Sequence, residues 1–127
     1  MTTTNQDFEI YADNDVTMQI KLGTRKADGQ PLDLTGAAAA WAAVKESSPG
    51  VPATTLPSIL KTTAGPDVAV LRNAAGAWVL QVLIADEDTE NLPPGGYYHE
   101  AKVITVDGKE ATVATGRLTI KGTFIRP

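Results

Sequence analysis

The side chains that could do chemistry in this chain are few and scattered. His99 is the single histidine, so a serine or acid–base device would have to use it as the base. It stands between Tyr98 and Glu100 in an alternating stretch, and no G-x-S-x-G elbow supplies a nucleophile. The spacing predicts a residue at the rim of a sandwich, its polar edge in water or hydrogen-bonded. Asp86, Glu87, Asp88 and Glu90 form the densest acidic patch, and Asp13 with Asp15 a second one. Calcium needs six to eight oxygens from a shaped loop, and neither stretch has the D-x-[DN]-x-[DN]-G spacing. A solvated loop face is the expectation for both. The same carboxylates offer no defined pair for glycoside hydrolysis, because the sequence gives no separation to test. No G-x-x-x-x-G-K-[ST] or G-x-G-x-x-G occurs to cradle a phosphate. There is no cysteine, hence no disulfide, thiolate zinc site or thiol nucleophile. No catalytic residue, metal ligand or cofactor site is expected.

Four aromatics could stack on a sugar: Trp41, Trp78, Tyr97 and Tyr98. Trp41, Trp78 and Tyr97 fall on the apolar parity of their stretches, which predicts core packing. Tyr98 has the outward parity. The 127 residues suit one domain, 1–127, and 43% hydrophobic content supplies a core without staples. A net charge of −4 argues against a nucleic-acid footprint. The opening MTTTNQDFEIYADND has neither the basic nor the apolar region of a signal peptide. No apolar run approaches the roughly 18 residues of a membrane span.

The elements that must position these residues read mostly as strands. Residues 1–7 are polar and form an expected flexible arm, and Phe8–Tyr11 is a short edge strand. Val16, Met18, Ile20 and Leu22 share one face, with Thr17, Gln19 and Lys21 on the other. Gly23–Gln30 reads as a polar hairpin-type connection. Residues 47–57 (SSPGVPATTLP) form a long surface loop in which Val51 and Leu56 are stranded apolar side chains. Ser58–Thr63 and Val68–Arg72 are short strands. In Ala77–Ile84, Val79, Gln81 and Leu83 oppose Trp78, Leu80, Val82 and Ile84, which suits a central or partner-covered strand. Residues 85–91 give at most one short helical turn. Tyr97–Val106 and Glu110–Lys121 flank an Asp107-Gly108 hairpin turn. The apolar parity of the last strand switches around Gly116, read as a bulge or a close backbone approach.

Ala37–Val44 is helical by propensity, since alanine is the best helix former. An eight-residue helix between period-two segments would bury little, so a strand over Ala37–Lys45 with Trp41 in the core is predicted. The whole pattern predicts an all-β fold: an antiparallel Ig-like β-sandwich of seven or eight strands, with a closed barrel as the alternative.

The Asp28-Gly29 turn, Pro31-Leu32-Asp33-Leu34-Thr35-Gly36 and a strand with one aromatic resemble a module of tailed-phage virion proteins. These are baseplate, neck and tail-fibre attachment components, among them the N-terminal domain of baseplate upper proteins. The Asp15–Leu22 strand before the signature and Leu92–Lys109 (LPPGGYYHEAKVITVDGK) after it extend the resemblance over roughly residues 8–120. It implies a non-enzymatic structural component, made in the host cytoplasm and carried in the virion. Such a component docks onto a ring of partner virion proteins and forms a homo-oligomer in the particle. An adhesive or carbohydrate-binding module for host-surface recognition is the alternative. Val51, Leu56, Val79, Leu83 and Tyr98 are the candidate partner-binding residues.

Overall fold

The computed structural model describes residues 3–23, 33–48, 51–52 and 57–122. The alternating stretches form β1 (Thr4–Asn5), β2 (Phe8–Tyr11), β3 (Val16–Gly23), β4 (Ala38–Ser48), β5 (Val51–Pro52), β6 (Ile59–Thr62) and β7 (Val68–Arg72). They continue as β8 (Trp78–Ile84), β9 (Gly95–Ile104) and β10 (Glu110–Lys121), with the short helix α1 (Asp86–Thr89) between β8 and β9. The larger sheet has β10, β9 and β4 at its centre, with β1 and β2 beyond β10 and β5 and β6 beyond β4. The smaller sheet runs β3-β8-β7. The all-β sandwich expected from the alternation is therefore the fold, and α1 is the expected turn that links the two sheets.

The order is that of an immunoglobulin-like sandwich, in which the second, fifth and fourth strands form one sheet and the third, sixth and seventh the other. Here β3, β8 and β7 take the first set of places, and β4, β9 and β10 the second. A further mark of that fold is a tyrosine near the start of the sixth strand that bonds back to the corner. Tyr97 fills this place: its hydroxyl donates to Pro93 O at 2.8 Å.

The alanine-rich segment is a strand because both of its faces are used. Ala39, Trp41 and Ala43 point inward and are buried, the indole at 0% exposure. Small alanines on either side leave room for the ring. Ile20, Leu80, Val82, Val103, Leu118 and Ile120 close the core around it. The turn before β4 explains the Asp33-Leu34-Thr35-Gly36 run. Asp33 Oδ1 accepts from Thr35 N at 3.0 Å, Leu34 is buried, and Gly36 takes φ +74, a left-handed conformation that favours glycine.

Four expectations are corrected. The sheet is not wholly antiparallel, because β1 and β2 both pair with β10 in parallel. The bulge lies between Thr112 and Ala114, not at Gly116, and it buries Val113 and Ala114 in succession. That extra residue is the source of the parity switch. Of the two readings of Gly116 the close backbone approach holds: a Cβ there would stand 2.7 Å from the backbone carbon of Gln6. Nor is the N-terminus a free arm from Thr3 onward. Thr3 Oγ1 donates to Thr112 O at 2.6 Å and Gln6 N to Thr115 O at 2.8 Å. His99, finally, is a core residue rather than a rim one.

Part of the expected surface loop is paired. Glu46 registers with Pro52 and Ser48 with Val51. The expected hairpin connection over 24–30, the Asp28-Gly29 turn and Leu56 lie outside the described residues.

Candidate interaction surfaces

The single histidine is engaged on both ring nitrogens. Trp41 Nε1 donates to His99 Nδ1 at 3.1 Å, so the ring proton sits on Nε2 and points at Gln6 O, 2.5 Å away. Phe8 stacks edge-on against the imidazole with centroids 5.5 Å apart. Burial holds the imidazole pKa below its ordinary value, against smaller upward pulls from the Gln6 carbonyl and the Asp7 charge. A neutral imidazole with both nitrogens occupied anchors the N-terminal segment. In antibody domains this place, two residues after the corner tyrosine, holds one half of the inter-sheet disulfide against the core tryptophan. A hydrogen bond between His99 and Trp41 stands there instead.

The acidic stretch at α1 is used to tie the sheets together. Lys61 Nζ, on β6, lies 2.7 Å from Asp67 Oδ2 and 2.6 Å from Asp88 Oδ2. Its side chain is 10% exposed. Burial pulls the ammonium pKa down, and the hydrogen bonds and charges of Asp67 and Asp88 outweigh it, leaving it raised. Asp88 Oδ2 also accepts from Ala85 N at 2.8 Å and so closes the first turn of α1. Asp86 N donates to Asp15 Oδ1 at 2.8 Å, which joins the second acidic patch to the first. Among the described residues, no group of three or more potential ligands is placed to hold a metal ion.

The expected partner-binding residues do not share a surface. Val79 and Leu83 lie on the outer face of the smaller sheet, where Val79 is buried and Leu83 is 38% exposed. Tyr98 lies half-buried on the outer face of the larger sheet, on the other side of the core. Val51 pairs at the end of the larger sheet through its backbone, and Leu56 is not among the described residues.

The outer face of the larger sheet carries small side chains on β4 between longer ones on its neighbours. Its cross-strand rows run Leu60–Ala42–Glu100–Thr115 and Val44–Tyr98–Arg117. Ala40 and Ala42 form a floor of small side chains, and Leu60 stands beside it at 61% exposure. At the far end Arg117 Nε meets Glu46 Oε1 at 2.9 Å, over Gly96, where a Cβ would come 2.9 Å from Arg117 Nη2. Sequence reasoning did not single out Leu60. The signal was present in its place opposite outward-parity Ala42, but that register depends on a loop connection no local pattern specifies.

No family model matches the chain, and no curated protein does. Among solved structures, murine CRIg is similar at 15% identity and a TM-score of 0.37, over 92% of each chain. A family 123 glycoside hydrolase from Clostridium perfringens is similar at 12% identity and a TM-score of 0.38. That likeness covers 97% of this chain and 24% of the hydrolase. Likenesses this distant carry nothing about ligand or activity.

Proposed function

We propose that this protein is a non-enzymatic structural component of a tailed-phage virion that docks onto a ring of partner subunits. The docking reading is supported by the outer face of the larger sheet. Ala40 and Ala42 give a floor on which another backbone can approach closely, and Leu60, 61% exposed, offers a large apolar side chain at its edge. Tyr98, half-buried beside Val44, adds an aromatic with a polar tip, a residue type enriched at interfaces. The virion assignment rests on the resemblance of residues 28–36 and 92–109 to phage baseplate and attachment modules. His99 has both nitrogens committed within the fold, which supports a structural rather than a catalytic part for the single imidazole.

The test is incorporation. Purified phage particles should contain the protein in a fixed ratio to a ring-forming protein. Ala42→Lys, whose ammonium would stand opposite Glu100, should keep the melting temperature of the free protein and abolish incorporation, since it sets a long charged side chain on the floor of small ones. Absence from particles, or normal incorporation of Ala42→Lys together with Leu60→Glu, would reject this reading. Binding to a host glycan by the free protein, lost in Tyr98→Ala, would favour the adhesive module instead.

A further inference from the structure

Among the described residues the smaller sheet is one strand short of the immunoglobulin-like plan. In that plan the first strand lies beside the second, in the sheet of the second, fifth and fourth strands. Here both N-terminal strands, β1 and β2, sit on the opposite sheet beside β10, and the smaller sheet is β3-β8-β7 alone. The place next to β3 is left without a strand among the described residues.

What touches that edge is the side chain of Gln6. Its Oε1 accepts from Lys21 N at 3.0 Å, and its Nε2 donates to Lys21 O at 2.9 Å. The carboxamide thus makes both bonds that the peptide groups of a neighbouring strand would make to Lys21. Because Lys21 points both backbone groups away from β8, alternation points those of Gln19 and Thr17 the same way. Their side chains are exposed, as is that of Lys21. Beside this edge lies a cleft of about 560 Å³ with Phe8 and Leu22 among its lining and Gln6, Gln19 and Lys21 around them.

We infer that the β3 edge is a β-augmentation site that takes one extended strand from a partner polypeptide, with Gln6 as its placeholder. The recognition is by main chain, through the backbone groups of Thr17, Gln19 and Lys21. The incoming strand sets apolar side chains at alternate positions toward Phe8 and Leu22. Its outward positions meet Thr17, Gln19 and Lys21, so an acidic or hydroxyl residue suits the place beside the Lys21 ammonium. A second copy offering its own β3 is a poorer occupant, since it brings a second Gln6 carboxamide into the same cleft. This site is on the opposite sheet from the Ala40–Ala42 floor and stands whether or not the protein belongs to a virion.

The probe is an end-capped hexapeptide alternating valine and threonine, added to the full chain and followed by residue-resolved amide exchange. Saturating peptide should slow exchange at Thr17 and Gln19 by about tenfold or more, as new ladder bonds require. Gln6→Ala, which removes the competing carboxamide, should tighten binding several-fold. Gln19→Pro should abolish binding while the fold persists, since that N–H faces away from β8. The same peptide N-methylated at every residue, which leaves neither edge an N–H to donate, should not bind the unaltered protein, a control independent of whether Gln19→Pro folds. No slowing at Thr17 and Gln19, or equal binding of the N-methylated peptide, would overturn the inference. So would self-association of the free chain that Gln19→Pro removes, because a second copy would then be the occupant.

Discussion

Trp41 Nε1 donates to His99 Nδ1 across 3.1 Å in the centre of the sandwich, and this one bond sets the tautomer of the chain's single histidine. The other nitrogen then has to donate, and it donates to the backbone of Gln6. A core aromatic therefore decides how the N-terminal segment is held.

Truncation of the indole should be severe. Trp41→Ala is expected to cost about 3–5 kcal/mol, the range for removing a large buried aromatic. Trp41→Phe should cost less but leave His99 Nδ1 unpaired in the core. Denaturant midpoints of the two variants measure the difference, and a midpoint unchanged in Trp41→Ala would place the ring outside the core.

His99 should make stability depend on pH in one direction. Burial lowers its folded pKa below 6.5, so between the two values the unfolded chain binds the proton and the folded one does not. Stability from this group is fully present above the unfolded value and declines as pH falls from there toward the folded pKa. Urea midpoints should therefore drop between neutral pH and pH values below 6.5. The drop should shrink in His99→Gln, which keeps an acceptor and a donor without titrating in this range.

Gly116→Ala should loosen the N-terminal segment. The added Cβ would lie 2.7 Å from the Gln6 backbone carbon and 2.8 Å from Asp7 Oδ1, so Gln6 and Asp7 must move away from β10. The expected loss is about 1–3 kcal/mol, as for other overpacked sites. Faster exchange at Gln6 N and at Arg117 N, which donates to Asp7 Oδ1, would localise it.

Lys61→Met should cost about 1–3 kcal/mol, since it leaves Asp67 and Asp88 facing each other without their shared cation. The loss should persist at high salt, because the ammonium is largely shielded from solvent. Lys109→Met is the control: its ion pair with Asp107 is exposed, and its melting temperature should not change.

Addition of calcium or EDTA should leave the melting temperature of the protein where it is. A rise of several degrees with calcium would show that the carboxylates of residues 86–90 gather around an ion, since a ligand bound only to the native state stabilises it.

Strand alternation made most of the fold legible before any coordinates. Met18, Ile20 and Leu22 on one face of β3, and Leu80, Val82 and Ile84 on one face of β8, follow the period of two and are buried as read. Ala37–Lys45 was legible only from its neighbours, because alanine propensity points to helix while both flanks alternate. Pairing partners were not legible. Parity cannot say that Phe8–Tyr11 would lie parallel to Leu118–Lys121, nor that the place beside β3 would be left to Gln6. The parity switch in β10 is visible in the sequence, and of the two readings at Gly116 the close backbone approach holds while the extra residue lies at Val113. Gly116 attracted the bulge because glycine often marks one, whereas Val113 takes it and the glycine answers a steric demand from a segment about 110 residues earlier in the chain. His99 was misplaced for a similar reason. A lone polar residue at an inward position reads as a rim until its partners, Trp41 and Gln6, are known.

The parallel course of β2 and β10 gives the molecule a mechanical polarity. Thr4 lies beside Ala114 and Tyr11 beside Lys121, so the chain enters the ladder at one pole of the sandwich and leaves it at the other. Tension applied between Thr4 and Lys121 acts along these strands in opposite directions. It loads the rungs from Phe8–Leu118 to Tyr11–Lys121 together, in shear, instead of opening them one at a time like a zipper. A pull between Thr4 and Lys121 is thus resisted by all of these rungs at once.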